Sequence, residues 1–144
     1  MTKKRKILIW AAAAVAFILA VTSPLMVEGW RRKQSFDRSF AIYSRALTAL
    51  TEHDFRHAYE MAGPEFRATT SFAEFARQHE ELMREKGDFV SVKQGPTVVE
   101  GSGTPRIWAA VTTASLTLRN GVVSLTYEFH LEDGEWRLYG VRKD

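Results

Sequence analysis

Residues 7–27 carry no charged side chain, and this uninterrupted apolar run constrains the chain more than any other feature. At about 1.5 Å per residue, a helix of that length spans roughly 30 Å, the thickness of a hydrocarbon core. A helix that is apolar on every side needs a surrounding that is apolar on every side. The run is bracketed by Lys3, Lys4, Arg5 and Lys6 before it and by Trp30, Arg31, Arg32 and Lys33 after it. An aromatic and basic boundary of this kind belongs at a water–lipid interface. The expected organisation is a basic cytoplasmic tail (1–6), a transmembrane helix (7–27), a juxtamembrane linker (28–35) and one folded domain (36–144). The rival reading is a cleaved signal peptide. The run is long for that role, Ala20 and Thr22 make a mediocre cleavage pair, and Pro24 sits close by.

Charge separates along the same boundary. The whole chain has a net charge of +3, but residues 1–33 hold seven Lys/Arg against one acid, and the remainder holds 13 against 16. The basic character therefore belongs to the flanks of the apolar run, where it would attract anionic lipid headgroups. The mildly acidic domain has no basic stripe with interleaved aromatics, so nucleic acid is not an expected partner. Four positive side chains on the N-terminal flank against three on the other, the latter offset by Glu28, favour a cytoplasmic N-terminus and a domain outside the cytoplasm. The chain has no cysteine, which excludes disulfides, thiolate metal sites and a cysteine nucleophile.

Beyond residue 33 the pattern is helices first, then strands. Phe36, Phe40, Tyr43, Leu47 and Leu50 recur at alternating steps of four and three, predicting an amphipathic helix over 33–52. One face packed on a sheet accounts for it; a coiled coil would need a longer stripe. Asp54 reads as the N-cap of a second helix through Phe55, Ala58, Tyr59 and Ala62, which Gly63-Pro64 stops. Ser71 with Glu74 is a capping box opening a third helix, with Phe72, Phe75, Ala76, Leu82 and Met83 on its apolar face and Gly87 as its cap. Residues 89–93 and 96–100 read as two short strands, 101–105 as a loop, and 107–119, 122–131 and 135–143 as strands. Asn120-Gly121 and Asp133-Gly134 read as hairpin turns. Val123, Leu125, Tyr127, Phe129 and Leu131 share one face of the penultimate strand. In the strand before it, Ile107, Ala109 and Val111 fall on one phase and Ala114, Leu116 and Leu118 on the other. A β-bulge near Thr112-Thr113 would reconcile them. The fold class is α+β: an N-terminal transmembrane helix, then three helices packed on a curved antiparallel sheet.

Several segments, in order, resemble the nuclear-transport-factor-2-like superfamily, whose domains are cone-shaped. They are Asp54-Phe55 with Ala58-Tyr59, Gly63-Pro64-Glu65-Phe66-Arg67, Ser71-Phe72-Ala73-Glu74-Phe75, and the terminal Asp133-Gly134-Glu135-Trp136-Arg137-Leu138. The resemblance covers residues 36–142 and points to small bacterial domains of unknown function. It implies a cone fold and leaves function open. Enzymatic members such as ketosteroid isomerase place an Asp base and acidic donors inside the cone, and no equivalent set is legible in this chain.

No enzyme class is expected. His53 and His57 stand four apart, a spacing that can hold a metal on one helix face. His53 precedes the expected N-cap, however, and no third ligand follows, so no metal or cofactor is implied. His79, in a charged helix, and His130, on the polar face with Glu128, read as solvated surface. Tyr43, Tyr59, Tyr127, Phe129 and Trp136 are the residues that would line or border a ligand cavity inside the cone, although a buried Tyr is more often satisfied by the protein itself. The leading functional expectation is a single-pass protein of the bacterial inner membrane. Its periplasmic domain would serve as an interaction or scaffold module, with a membrane or periplasmic protein partner or as a homo-oligomer. This arrangement is architecturally similar to inner-membrane scaffold subunits of type IV secretion systems. A small-ligand-binding domain or enzyme using the cone interior is the alternative; a purely structural or immunity-like envelope role fits the same residues.

Overall fold

The computed structural model describes residues 3–48 and 52–144, the side chains of residues 52–54 excepted. The chain forms two compact units, Met1–Arg32 and Lys33–Asp144. Helix α1, Lys3–Thr48, runs through both.

In the first unit the apolar side chains are exposed, Trp10 at 76% and Leu8 at 73% among them. The helix is long and apolar enough to cross a membrane, and none of its apolar window is buried. Thr22 Oγ1 donates to the Ile18 carbonyl at 2.7 Å, so this hydroxyl of the run needs no water. Pro24 lies inside the helix. It withholds one backbone donor, a loss that transmembrane helices tolerate when neighbouring groups compensate. Residues 28–35, expected to be a linker, are helical instead. Arg31, Arg32 and Lys33 are good helix formers, and Arg32 pairs with Glu28 one turn back at 3.7 Å.

The second unit is α+β. Helices α2 (Glu52–Glu60), α3 (Pro64–Thr69) and α4 (Phe72–Lys86) precede strands β1 (Phe89–Ser102), β2 (Ile107–Leu118), β3 (Gly121–Glu132) and β4 (Glu135–Lys143). The strands form one antiparallel sheet in the order β1-β2-β3-β4. The stripe Phe36, Phe40, Tyr43 and Leu47 of α1 is buried, as its spacing predicts; Leu50 lies outside the described residues. These side chains meet the inner face of β3 and β4 edge-on. Phe36 lies 5.4 Å from both Phe129 and Trp136, and Phe40 lies 5.7 Å from Tyr127, in the tilted geometry that aromatic quadrupoles favour.

Several local expectations shift. Helix α2 begins at Glu52, two residues ahead of Asp54. Gly63-Pro64 does not only stop a helix; it starts α3, with Gly63 as N-cap and Pro64 in the first turn, where its missing N–H costs nothing. The Gly63 N–H donates to the Leu138 carbonyl at 2.7 Å and Leu138 N–H donates to Met61 O at 2.9 Å, so this turn covers part of the β4 edge. Ser71 caps α4 as expected, accepting from Glu74 N–H at 3.2 Å, and Gly87 closes it with an N–H bond to Met83 O.

The bulge falls in β1 and not at Thr112-Thr113. Strand β2 alternates without a break, with Trp108, Ala110, Thr112, Ala114, Leu116 and Leu118 buried, and its pairing with β3 has no register shift. Ile107, Ala109 and Val111 face outward. The phase conflict disappears because Thr112 counts as an inward residue. Its hydroxyl is satisfied by Thr97 Oγ1 at 2.8 Å, and Thr97 bonds Gln94, which donates to Asp37 of α1 at 2.9 Å. The extra residue sits at Gly95-Pro96, between the pairs Gln94↔Ala114 and Thr97↔Thr112, and merges two predicted strands into one. A Cβ on Gly95 would stand 2.7 Å from the Thr113 carbonyl oxygen, so only glycine fits. Two further register shifts occur, one at Val90 between Phe89 and Ser91 of β1 and one in β4 opposite Glu128/Phe129. Gly101 and Ser102 belong to β1, not to the following loop.

The β2–β3 turn is Arg119-Asn120, one residue earlier than predicted. Its N–H groups are taken by the carbonyls of Asp88 and Lys86 at 3.0 and 2.7 Å, which fixes its position. Asp133 and Gly134, with φ of 50° and 79°, form the expected left-handed two-residue turn.

Candidate functional site

The five aromatic candidates divide into a group of four and one apart. Tyr43, Tyr127, Phe129 and Trp136 are packed into one cluster with Phe36 and Phe40, and each is at most 3% exposed. Trp136 Nε1 donates to Ser35 Oγ at 3.3 Å. Tyr59 is separate: its hydroxyl donates to the Thr70 carbonyl at 2.7 Å, and its ring packs 5.7 Å from both Phe72 and Phe75. Among the described residues nothing bonds the hydroxyls of Tyr43 and Tyr127. Burial raises both phenol pKa values, and for Tyr43 the nearby Tyr127 adds to the rise. Both phenols are held neutral and sealed.

The open space lies elsewhere. A groove of about 400 Å³ runs between α4 and the ends of β3 and β4, walled by Phe66, Phe75, His79, Leu82, Leu125 and Val141. Glu81, Glu85 and Lys143 stand along it. Glu81 is engaged by Arg77, which also holds Glu74 at 2.7 Å.

His79 is the buried polar residue of this wall, 7% exposed, and not the solvated side chain expected. Its Nδ1 lies 2.7 Å from the Phe75 carbonyl oxygen, one turn back. A carbonyl only accepts, so Nδ1 carries the proton and Nε2 keeps its lone pair. The ring sits among Phe75, Phe55 and Phe89, with centroids 4.4, 5.7 and 6.3 Å away. Burial lowers its pKa, countered in part by the Phe75 bond, so the ring is neutral at neutral pH. The signal for this residue was present: Phe72, Phe75, His79 and Leu82 step by three, four and three, which places position 79 on the inner stripe. The acids Glu80 and Glu81 beside it disguised that phase.

A second groove, about 350 Å³, is bordered by Ser39, Ile42, His57, Glu60, Trp136 and Arg137. The side chain of His53 lies outside the described residues, and no group of three His, Asp or Glu suited to a metal occurs among the described ones. His130 is half-buried on the outer sheet face, stacked on Tyr139 at 3.9 Å with Nε2 2.9 Å from Glu128. The basic flank residues all fall on α1. Lys33 pairs with Asp37 at 2.8 Å, and Trp30 is exposed.

The chain matches no protein-family model and no curated protein.

Proposed function

We propose that the chain is a single-pass protein of a bacterial inner membrane, with residues 7–27 as an uncleaved anchor and the second unit outside the cytoplasm. In this reading the unit adopts the cone fold of the nuclear-transport-factor-2-like superfamily and serves as an interaction module in an envelope complex. The helices before the sheet and the three register shifts within it agree with a cone. Lys3, Lys4, Arg5 and Lys6 would hold the N-terminus on the cytoplasmic side, and Trp30, Arg31 and Arg32 would sit at the outer interface.

The observation that carries the interaction reading is the outer sheet face. The inner face is occupied by the chain's own aromatics, whereas outside Val98 and Val111 pair directly and both are exposed. Ile107 and Val122 are also exposed, and Thr113, Ser115, Thr117 and Ser124 share this face with the charged Lys93, Glu100 and Glu128. The uncharged strip between these charges loses little by desolvation when covered.

Two measurements test the proposal. C-terminal alkaline phosphatase and green fluorescent protein fusions should show phosphatase activity without fluorescence; the reverse pattern refutes the orientation. In detergent, the full chain should migrate as an assembly larger than one copy, and Val111→Asp should reduce it to a monomer. A monomeric parent protein, isolated under conditions that preserve membrane complexes, argues against the interaction module.

A further inference from the structure

We infer that the groove between α4 and the ends of β3 and β4 binds a small, largely apolar molecule that donates one hydroxyl or N–H hydrogen bond to Nε2 of His79. This inference is independent of the membrane reading. It starts from the cost of the histidine. Position 79 lies on the inner stripe of α4, among Phe55, Phe75 and Phe89, where a leucine or phenylalanine would pack without desolvating a polar ring. A neutral imidazole has one donor nitrogen and one acceptor nitrogen to satisfy. Here Nδ1 is spent on Phe75, and among the described residues nothing bonds Nε2. His79 is 7% exposed and lines the groove, so the part of the ring that meets open space meets it there.

The tautomer dictates the ligand's chemistry. With the proton on Nδ1, Nε2 can only accept, so the ligand must donate. The volume of about 400 Å³ suits a molecule of one or two fused rings or a short chain. The walls Phe66, Phe75, Leu82, Leu125 and Val141 call for an apolar body. Of the charges along the groove, Glu81 is tied to Arg77, and Glu85 and Lys143 oppose each other in sign. The groove therefore favours a neutral ligand over an anion or a cation.

The test uses the full chain in lipid nanodiscs with ¹⁵N-labelled histidine. The probes are 2-naphthol, which has a donor, and 2-methoxynaphthalene, which does not. 2-Naphthol should move the His79 Nε2 resonance and bind about 3- to 10-fold more tightly than the ether, the range of one neutral hydrogen bond. His79→Phe keeps an apolar wall and should reduce that ratio to about one. Leu82→Trp, which fills the groove and leaves His79 in the sequence, should abolish binding of both probes, and retained binding of both probes by His79→Phe shows that this variant is folded. Equal affinity of the two probes in the parent protein overturns the inference. So does a preference that survives in His79→Phe, or an unmoved His79 Nε2 resonance at the solubility limit of 2-naphthol.

Discussion

Two patches of one core contain polar atoms, and they are built differently. Around Phe129, six aromatic rings from α1, β3 and β4 close on each other and enclose the hydroxyls of Tyr43 and Tyr127 with nothing to bond. Around His79, the core opens into a groove, and the polar group there has one nitrogen anchored on the Phe75 carbonyl. The first arrangement is a stability cost carried by tight packing. The second is a poised acceptor. A polar atom beside open space can be reached by a ligand, whereas one sealed by rings cannot.

The largest expected effect separates the patches by packing. Phe129→Ala should remove about 3–5 kcal/mol of unfolding free energy, because a fully buried ring among rings leaves a cavity that cannot collapse. Leu82→Ala, at the half-buried groove wall, should cost well under half as much, measured for both by denaturant unfolding of the full chain in micelles. Equal costs would erase the distinction between closed and open core.

Smaller in size but sharper is the sealed hydroxyl. Tyr127→Phe removes an unsatisfied polar atom while keeping the ring, and should stabilise by about 1 kcal/mol. A loss of stability would show that the hydroxyl has a partner and place Tyr127 beside His79 as a candidate binding group.

The third prediction concerns pH. The folded pKa of His79 is depressed below its ordinary value of 6.5 by burial. Above that value both folded and unfolded chains leave the ring neutral. As pH falls below it, the unfolded chain takes up a proton that the folded chain refuses, so stability declines until the folded pKa is reached. Lowering the pH from 7.5 to 5 should therefore cost the parent protein more than it costs His79→Phe. Glu81, Glu85 and Lys143 face the same groove and are common to both proteins, so the difference isolates the histidine. Identical pH profiles would mean that His79 is solvated after all.

Much of this architecture is legible residue by residue. The 4-3-4 spacing of Phe36, Phe40, Tyr43 and Leu47, the Ser71 cap, the period of two in β3 and the Asp133-Gly134 turn each depend on a few neighbouring residues. The candidate site was not. The aromatics that suggested a cavity form a solid cluster, because their preference for one another is satisfied across 84 residues of separation, as at Tyr43 and Tyr127. The residue that faces open space looked like surface, because two glutamates follow it.

The sequence by itself determined the apolar run, its basic flanks and the helices-then-strands order. These follow from side-chain solvation and backbone period, which are properties of short segments. Only the tertiary structure decided the inward phase of β2, the bulge at Gly95-Pro96 and the burial of His79. Each of these depends on what stands opposite: Thr97 meets the Thr112 hydroxyl, the Thr113 carbonyl excludes a side chain at Gly95, and Phe55 and Phe89 flank the imidazole.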